Sequence, residues 1–423
     1  MPATRRERSS TAEVVYLSNL FPSAVEPYVG EEIDELQRRS IRVTACSVWS
    51  SPPTKNPDRE TLVTVFTWWP VPWLVALLLC IHHSAELKDL FCRLIARGGE
   101  SWRQRARGIA HTVLGARLAS LLRHKNVRHI HIHHGCLAAW IGMVAARLLH
   151  VPYSLTLHGS DLLVRPTFLD LKLQHCKICF TVSEFNRNFL LRHYPQIDPS
   201  KVLVQRIGVS VPSIQFHDDL KQPLDHAFTL LAVGRLHAVK DHAFLIRACA
   251  GLKASGNRVL CCIAGEGPER RYLQTLIHNL GLASDVQLLG HIPRNALAAL
   301  YVAADLVVLT SQSEGLPLTL IEAMALGRTV LAPGITGIPE LVLDGKTGFL
   351  YKQGSITDFV DRVEFIQRTY SAHAPVRKAA RAHVQASFNL ESTLHQFSDV
   401  FVQRILGERE NEYADSVLQQ VQL

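Results

Sequence analysis

Short apolar runs alternate with amphipathic stretches along most of the chain, and this rhythm predicts strands that alternate with helices. Val14–Leu20 is an apolar run that ends at Phe21-Pro22. An amphipathic helix is predicted over Glu26–Arg39 and a second strand over Ile41–Val48. Further strands are predicted at Arg128–His133, Tyr153–Leu157 and Ile178–Val182. Strands joined by helices in this way form parallel sheets, so we predict a doubly wound α/β domain.

The same alternation restarts after a polar, Pro-interrupted stretch at Ser213–His226, which we interpret as a linker. Strands are then predicted at Phe228–Val233, Val259–Ile263, Val286–Leu289, Leu306–Leu309 and Thr329–Leu331, followed by helices at Ile356–Gln367, Ala374–Ser387 and Glu391–Leu406. At 423 residues the chain is too long for one compact core. We therefore predict domains at 1–213 and 214–388, with residues 389–423 forming a helix that packs back on the first domain and a polar tail.

One apolar stretch has no place in this rhythm. Between Thr61 and Ala85 there is no Asp, Glu, Lys or Arg. Pro70 and Pro72 interrupt it and leave Trp73–Ile81 as the continuous apolar helix. Residues 62–81 therefore either pack in the core or lie in a bilayer interface, and a true membrane span is the weaker third reading.

Charge and tryptophan are concentrated in the first third of the chain. The net charge is +8, and Lys88–Arg128 contains ten Lys or Arg against Asp89 and Glu100. All six Trp also precede residue 141. A basic surface suits nucleic acid, anionic lipid or a phosphorylated substrate. No basic motif interleaved with aromatic residues indicates a nucleic-acid reader, so we expect an anionic membrane surface as a partner and no nucleic acid.

Cysteine and histidine do not indicate a metal site. The nine Cys are scattered in apolar runs, and the zinc-like spacing of Cys176 and Cys179 has no second pair, so we expect reduced core thiols in a cytosolic protein. His129, His131, His133 and His134 are expected to line the end of a strand, because no neighbouring carboxylate completes a ligand set. Arg5, Arg6 and Arg8 lead directly into strand-like sequence, which is too short for a signal peptide.

The stretch Val308–Leu326, VLTSQSEGLPLTLIEAMAL, carries the most specific chemistry. It predicts a strand, a Gly-containing turn and a helix whose first turn holds Pro317, and such a junction binds anionic ligands in open α/β sheets. Glu314 lies at this junction, and Glu322 is the charged residue of an otherwise apolar helix. Burying Glu322 costs several kcal/mol unless it is hydrogen-bonded, so it either faces solvent or has a dedicated partner.

Two cations follow the first strand of the second domain. Arg235 and Lys240 lie where the sheet should bring them near Glu314, and together they suit a diphosphate: arginine binds oxygens bidentately and lysine adds a mobile charge. Taken singly, each could be merely solvated. Gly265, at the end of the next strand, would let a ligand approach the backbone closely.

Several motifs resemble a known family when taken in order. The segments GRLHAVKDH, GEGP, GHIPRNAL, SEGLPLTLIEAMALG and GIPELVLDGKTGFL are similar to those of the retaining glycosyltransferases of family four, which have the GT-B fold. In the N-terminal half, FPSAVEPYVGEEIDEL, HIHIHHG and TLHGSD resemble the branch that builds colanic acid, other exopolysaccharides or lipopolysaccharides. The resemblance implies two Rossmann-like domains facing a central cleft, an acceptor-binding N-terminal one and a nucleotide-sugar-binding C-terminal one.

The resemblance also implies roles for individual residues. Glu314 and Glu322 would be the E-x7-E pair that binds the donor sugar and ribose, while Arg235 and Lys240 neutralise the diphosphate. The remaining donor contacts would come from Gly265, Ile292 near the base, Gly315, Leu316 and Pro317. His158 with Asp161 would approach the reacting sugar, so the catalytic set is His158, Glu314, Arg235 and Lys240. Glu26, Tyr28, His133 and Asp161 form the possible acceptor side.

The sequence departs from the family pattern at three places. Phe21-Pro22-Ser23-Ala24 stands where many members have Gly-Gly, Asp241 replaces a common Gly, and Leu316 replaces a common Phe. The first departure leaves the N-terminal phosphate or acceptor contact undefined. Neither of the other two removes a charged group.

We therefore expect a retaining, metal-independent hexosyltransferase without a cofactor. It would move a hexose from a nucleotide-diphosphate sugar to a glycan or polyprenyl-linked acceptor in exopolysaccharide or lipopolysaccharide biosynthesis, on the cytoplasmic face of the inner membrane. Two alternatives are an isomerase of the UDP-N-acetylglucosamine 2-epimerase type and a non-catalytic nucleotide-sugar-binding protein. The base, the sugar, the linkage and the oligomeric state are not specified by the sequence.

Overall fold

A computed structural model of the chain describes residues 13–23, 26–50, 62–97, 99–164, 166–211 and 227–407. The proposed linker Ser213–His226 and the polar tail after residue 407 lie outside these residues. The described chain forms two compact units. Unit 1 comprises residues 13–181, 187–205 and 394–407, and unit 2 comprises residues 182–186 and 206–393.

Unit 1 is built on a seven-stranded sheet with the strand order β3-β2-β1-β4-β5-β6-β7. Its strands are β1 Glu13–Leu20, β2 Arg42–Trp49, β3 Leu62–Thr64, β4 Val127–His133, β5 Tyr153–Leu157, β6 Cys179–Thr181 and β7 Val202–Val204. Its helices are α1 Pro27–Arg38, α2 Pro70–His82, α3 Lys88–Cys92, α4 Trp102–Leu122, α5 Leu137–Leu149, α6 Leu169–Gln174 and most of α7 Glu184–His193. All of the strand pairs run parallel.

The order of this sheet reverses at β1, which pairs with β2 on one side and β4 on the other. The connections leaving β1 and β4 therefore diverge to opposite sides, and their carboxyl ends open a crevice. Helix α5 covers the sheet with a run of nine buried residues, Ala138–Ala146. The small residues Ala138, Ala139 and Gly142 allow the helix to approach closely: a Cβ on Gly142 would lie 2.4 Å from Ile132.

Helix α2 begins at Pro70 rather than at Trp73, so the two prolines start the apolar helix instead of interrupting it. Pro70 is its first residue and Pro72 lies within its first turn, where no backbone N–H has an intrahelical partner to lose. Only Ala76 and Cys80 of this helix are buried, toward α4. Among the described residues no helix is both long and apolar enough to cross a bilayer.

The chain returns to unit 1 through the second half of α15 Leu390–Phe401 and the turn Val402–Leu406. Phe397 and Phe401 pack against the β4 histidines, with ring centroids 5.8 Å from Phe397 to His131 and 5.8 Å from Phe401 to His129. Asp399 forms an ion pair with Arg39 at the end of α1. The final helix thus closes one face of the first sheet.

Unit 2 is built on a six-stranded parallel sheet with the order β10-β9-β8-β11-β12-β13. Its strands are β8 Phe228–Val233, β9 Val259–Ala264, β10 Val286–Gly290, β11 Leu306–Val308, β12 Thr329–Pro333 and β13 Phe349–Tyr351. Its helices are α8 His242–Ala254, α9 Arg270–Asn279, α10 Arg294–Ala303, α11 Leu318–Ala325, α12 Ile338–Leu341, α13 Ile356–Arg368 and α14 Ala374–Ser387. The order of this sheet reverses between β8 and β11.

The predicted fold class, two doubly wound parallel sheets, is confirmed. Strand β5 and strand β8 have the predicted bounds, and other predicted strands shift by one or two residues. Cys176 and Cys179 are buried free thiols beside and within β6, as expected. Burial raises the pKa of the Cys176 thiol to about 12, so it stays protonated and unreactive.

Candidate functional site

In unit 2, two loops leave the sheet at its reversal point and are tied together by hydrogen bonds. The Gln312 N–H, after β11, donates to Val239 O at 2.8 Å, after β8. The Thr310 hydroxyl donates to Lys240 O at 3.0 Å, and the Gln312 amide donates to Asp241 at 3.1 Å. Because open α/β sheets bind ligands at the reversal point, these two loops form the candidate site of unit 2.

The structure brings Lys240 and Glu314 into direct contact in these loops. The Lys240 Nζ lies 2.5 Å from Glu314 Oε1, and the two side chains are 22% and 12% exposed. Arg235, at the end of β8, is exposed, and its side chain makes no hydrogen bond or ion pair within the described residues. One cation is therefore held by a carboxylate, while the other is available to an anion.

The backbone before α11 offers further donors. Neither Gly315 nor Leu316 uses its N–H in a hydrogen bond among the described residues. Pro317 is the N-cap of α11, one position before the first helical residue rather than within the first turn as predicted. Two N–H groups just before a helix N-terminus suit an anion or a sugar hydroxyl.

Glu322, four residues into α11, has a partner that the sequence did not indicate. The Tyr301 hydroxyl of α10 donates to Glu322 Oε2 at 3.0 Å, and the Arg294 guanidinium lies 3.7 Å from Oε1. Burial raises the pKa of Glu322, and the Tyr301 hydrogen bond and the Arg294 charge oppose this shift. The carboxylate is therefore held at a fixed place on the apolar helix.

Gly265 serves the packing of the loops themselves. It has φ +154°, and a Cβ there would lie 1.9 Å from the Gly234 carbonyl oxygen. The close approach that we expected from a ligand is thus already made by the backbone that leads to Arg235. Ile292 lies half-buried in the loop between β10 and α10.

The conformation of Asp241 accounts for its presence where the family commonly has a glycine. It has φ +50°, a conformation in which glycine is common and Asp is tolerated. Its carboxylate accepts the Phe244 N–H at 3.1 Å and caps α8. Asp241 thus adopts the conformation that a glycine would adopt and also caps α8. The position of Lys240 is unaffected by the substitution.

In unit 1, His158 follows β5 and is held between aromatic rings and a carboxylate. Its ring stacks on Tyr28, with centroids 4.7 Å apart. Asp161 is buried and accepts the N–H groups of His158 at 3.1 Å, Gly159 at 2.8 Å and Gly135 at 2.8 Å. Asp161 therefore fixes the loop that carries His158.

The first two residues of the first βα loop of unit 1 offer no free backbone N–H. The Phe21 N–H donates to the Ser47 hydroxyl at 2.9 Å, and Pro22 has no N–H. Glu26, after this loop, lies 3.0 Å from the Nε2 of His134. The described residues of this loop are thus engaged within the protein.

One expectation for the histidines was wrong. We expected no carboxylate near them, but Glu32 of α1 lies 3.1 Å from His133 and 4.0 Å from His131. Glu32 falls on the buried face of α1 beside Tyr28, Val29 and Ile33. That periodicity is the signal that could have identified it.

These side chains offer ligand atoms of the type that zinc prefers, from Glu32, His131 and His133, within 4.8 Å of one another. Both nitrogens of His131 are already engaged, with the Ser154 hydroxyl at 2.7 Å and the Thr156 hydroxyl at 3.1 Å. The protein therefore satisfies this cluster by hydrogen bonds.

Comparison with known families and proteins places both halves of the chain. Residues 25–211 match Glycosyltransferase Family 4, and residues 217–383 match Glycosyl transferases group 1. The colanic acid biosynthesis glycosyltransferase WcaL of Salmonella typhimurium is 32% identical over 48% of this chain and 51% of its own length. The amylovoran biosynthesis glycosyltransferase AmsK of Erwinia amylovora is 30% identical over 47% of this chain and 50% of its own. The chain thus spans about half the length of these relatives.

A solved structure extends the comparison to the fold. Anabaena Alr3699/HepE, crystallised with UDP-glucose, superposes with a TM-score of 0.70 over 92% of this chain and 99% of its own, at 18% identity. At this identity the similarity concerns the fold, which is that of the GT-B glycosyltransferases.

Proposed function

We propose that the chain transfers a hexose from a nucleotide-diphosphate sugar to an acceptor, because its first half matches a family 4 glycosyltransferase domain and its second half matches a group 1 domain. The acceptor would be a glycan or a polyprenyl-linked glycan of exopolysaccharide or lipopolysaccharide biosynthesis. The relatives WcaL and AmsK, described as acting in colanic acid and amylovoran biosynthesis, support this class of product.

The observation that carries the proposal is the Lys240–Glu314 contact beside the exposed Arg235 at the reversal point of the second sheet. A diphosphate needs two cations, and a hexose needs acceptors and donors for its hydroxyls. The ammonium, the guanidinium, the Glu314 carboxylate and the free N–H groups of Gly315 and Leu316 supply all three kinds of contact. The HepE complex with UDP-glucose supports a nucleotide sugar as the donor.

In the proposed reaction the protein stabilises the leaving nucleoside diphosphate. Arg235 and Lys240 neutralise the charge that develops as the bond from the anomeric carbon to phosphate oxygen breaks, so no obligatory metal is required. The acceptor hydroxyl attacks the anomeric carbon from the leaving-group side and passes its proton to the departing phosphate. Because attack and departure occur on the same face, the anomeric configuration is retained. Glu322 accepts the ribose hydroxyls, with Tyr301 fixing its position, while Ile292 faces the base and Gly265 and Pro317 shape the loops.

We assign to residues of unit 1 a contact with the transferred sugar and the contacts with the acceptor. His158, stacked on Tyr28, contacts the transferred sugar, while Glu26 belongs to the acceptor side. His133, which we had also expected on the acceptor side, is buried behind His158 and has both ring nitrogens engaged. The many hydrogen bonds that Asp161 accepts from the backbone support a role in fixing the His158 loop rather than in direct contact.

The second part of the proposal concerns an anionic membrane surface on the cytoplasmic side. Unit 1 exposes a set of apolar side chains before and along α2, which we call the α2 surface: Trp68, Trp69, Val71, Leu74, Leu78 and Ile81. Trp68 and Trp69 are 90% and 74% exposed. Exposed tryptophan beside an apolar helix is typical of segments that lie in the bilayer interface.

Charge near the α2 surface supports the same partner. Helix α4 packs against α2, and its first turns expose Trp102, Arg103 and Arg107. Other basic residues of this region are used internally, since Arg93 pairs with Glu100 at 2.7 Å and Arg117 donates to Val65 O at 2.5 Å. Of the two core-or-interface alternatives, the exposure of α2 favours the interface for residues 68–81.

A donor panel tests the transferase proposal directly. The purified chain is incubated with UDP-, GDP- and ADP-hexoses, with and without a lipid-linked acceptor extract, and nucleoside diphosphate release is measured. We expect release from one donor, dependent on the acceptor, unaffected by EDTA, and a product with the anomeric configuration of the donor. Conversion of the donor to an epimer would indicate an isomerase, and donor binding without turnover would indicate a non-catalytic protein.

A further inference from the structure

Three side chains of unit 1, those of Glu32, His133 and His158, form a continuous hydrogen-bonded row. Glu32 Oε2 lies 3.1 Å from His133 Nε2, and His133 Nδ1 lies 3.1 Å from His158 Nε2. The Tyr16 hydroxyl also approaches Glu32 Oε2, at 3.4 Å. Glu32 and His133 are buried, and His158 is partly exposed.

The last atom of this row has no partner. His158 Nδ1 is buried from solvent and makes no hydrogen bond to any described residue. Leaving a buried polar atom unpaired is energetically costly, so such an atom in a native protein needs an explanation. A bound molecule that completes the hydrogen bond is one.

The hydrogen bonds of the row have a fixed donor-to-acceptor direction, because a carboxylate can only accept hydrogen bonds. Glu32 therefore requires the proton of a neutral His133 to be on Nε2, which leaves His133 Nδ1 as an acceptor. His158 must then place its own proton on Nε2, and its Nδ1 carries a lone pair. Burial, and then the nearby His134, His133 and His131, lower the pKa of His158 well below its usual range, so its ring stays neutral.

We propose that Glu32 and His133 are positioning residues that fix the tautomer of His158, so that its Nδ1 accepts a hydrogen bond from a hydroxyl of the bound sugar. This inference rests on the proposed function of the site for its ligand, but the tautomer itself belongs to the free protein. The loop clamp of Asp161 and the Tyr28 stack hold the ring, while the row sets which of its nitrogens donates.

The tautomer can be measured without any substrate. The chain is labelled with ¹⁵N-histidine, and the ring nitrogens of His133 and His158 are assigned from the signals lost in His133→Asn and His158→Ala. We expect His158 with a protonated Nε2 and an unprotonated Nδ1, and the same for His133. A proton on His158 Nδ1, which a doubly protonated His133 would impose, would overturn the proposal. A metal ion bound stoichiometrically at His133 Nε2 would also overturn it.

A pair of variants on one helix separates positioning from packing. Glu32→Gln keeps the shape but offers a donor as well as an acceptor, so we expect the His158 tautomers to mix. Glu35→Gln is the matched control, because Glu35 is buried on the same helix and pairs with Arg38 and Arg39 outside the row. Its His158 signals should match those of the wild type; unchanged signals in Glu32→Gln would contradict the proposal.

Kinetics then test the consequence for the sugar. We expect Glu32→Gln to lower kcat/KM about tenfold, the effect of one hydrogen bond, and to have no further effect in a His158→Ala background. An equal loss in both backgrounds would show that Glu32 acts independently of His158 and would overturn the proposal. If the wild type turned over no donor, the proposed function would fail, while the spectra would still decide the tautomer.

Discussion

At the residue scale, the Lys240–Glu314 pair makes the two phosphate cations unequal. Lys240 is partly buried against a carboxylate, whereas Arg235 is exposed and makes no side-chain hydrogen bond or ion pair among the described residues. Removing Lys240 leaves the Glu314 carboxylate without its counter-charge next to where the diphosphate would bind. Removing Arg235 leaves no uncompensated carboxylate.

We therefore expect Arg235→Ala to lower donor turnover about 10²-fold and Lys240→Ala to lower it further. A Lys240→Ala/Glu314→Gln variant should recover part of the donor affinity, since the uncompensated charge is gone. Steady-state kinetics on the preferred donor measure this, with Arg247→Ala as the control, an exposed arginine that contacts the Tyr272 hydroxyl on the outer helices. Near-normal transfer by Arg235→Ala or Lys240→Ala would refute the site.

A second prediction concerns the pH dependence of donor binding. Burial already raises the pKa of Glu322, and the Tyr301 hydroxyl lowers it. As pH falls, Glu322 becomes protonated and accepts hydrogen bonds from ribose more weakly, so donor KM should rise on the acid side. In Tyr301→Phe one lowering interaction is lost, the pKa rises further, and the rise in KM should begin at a higher pH.

The measurement is a KM–pH profile for the wild type and Tyr301→Phe. Tyr153→Phe serves as control, because Tyr153 is a buried tyrosine of unit 1 whose hydroxyl donates to Lys172 O at 2.6 Å. It should leave the acid limb in place. An unshifted limb in Tyr301→Phe would show that Glu322 does not set donor affinity.

Sequence reasoning proposed the charged residues of the candidate site, but it did not indicate the protein partner of Glu322. Glu314, Arg235 and Lys240 were predicted because their loops follow strands of one parallel sheet, and parallel strands end at a common edge. Tyr301 approaches Glu322 from the apolar helix α10, whose sequence RNALAALYVA indicates only a packed face. Such partners depend on how two helices pack, which the pattern along either helix does not contain.

At the element scale, the two loops of the unit 2 site depend on a glycine. The β9 loop passes so close to the β8 loop that a methyl group on Gly265 would overlap the Gly234 carbonyl. Gly256, at the end of α8, also has a positive φ, of +81°, but a Cβ there would meet nothing within 4 Å. The two glycines separate the cost of the backbone conformation from the cost of the close approach.

We expect Gly256→Ala to lower the free energy of unfolding by about 1 kcal/mol, from strain in the left-handed conformation alone. Gly265→Ala should cost about 1–3 kcal/mol more, because the Gly234 backbone must move. Urea unfolding of unit 2 measures both, and donor affinity should fall only in Gly265→Ala. Equal losses of stability would show that the loops tolerate separation.

The strands that the sequence did not predict are short. Strands β3, β7 and β13 have three residues each, too few to show a period, and they form in register with a longer or more central strand. The start of α2 at Pro70 was missed for a different reason. Proline was read as a break, although it is equally suited to the first turn of a helix.

At the scale of the whole molecule, the α2 surface predicts that the protein binds anionic membranes. Sedimentation with vesicles containing phosphatidylglycerol should bring down the chain at low salt, and high salt should weaken but not abolish binding, because apolar insertion is not screened. Leu74→Ser/Leu78→Ser should reduce binding strongly.

The control for this experiment is Val302→Ser, an exposed apolar residue of unit 2 that is 53% accessible. It should bind vesicles like the wild type. A chain that stays wholly in the supernatant with anionic vesicles at low salt would contradict the membrane proposal and leave the donor site untouched.

The return of α15 to the first sheet also orders events during synthesis. The histidine face of β4 is covered by Phe397 and Phe401, which leave the ribosome after every residue of unit 2. Domains generally fold as units once their chain is available. Unit 2 is nearly continuous in sequence, so its sheet can form while the β4 histidines still lack their cover. Unit 1 is therefore the last to complete its core, and the cover over His129 and His131 forms only after unit 2 has been made.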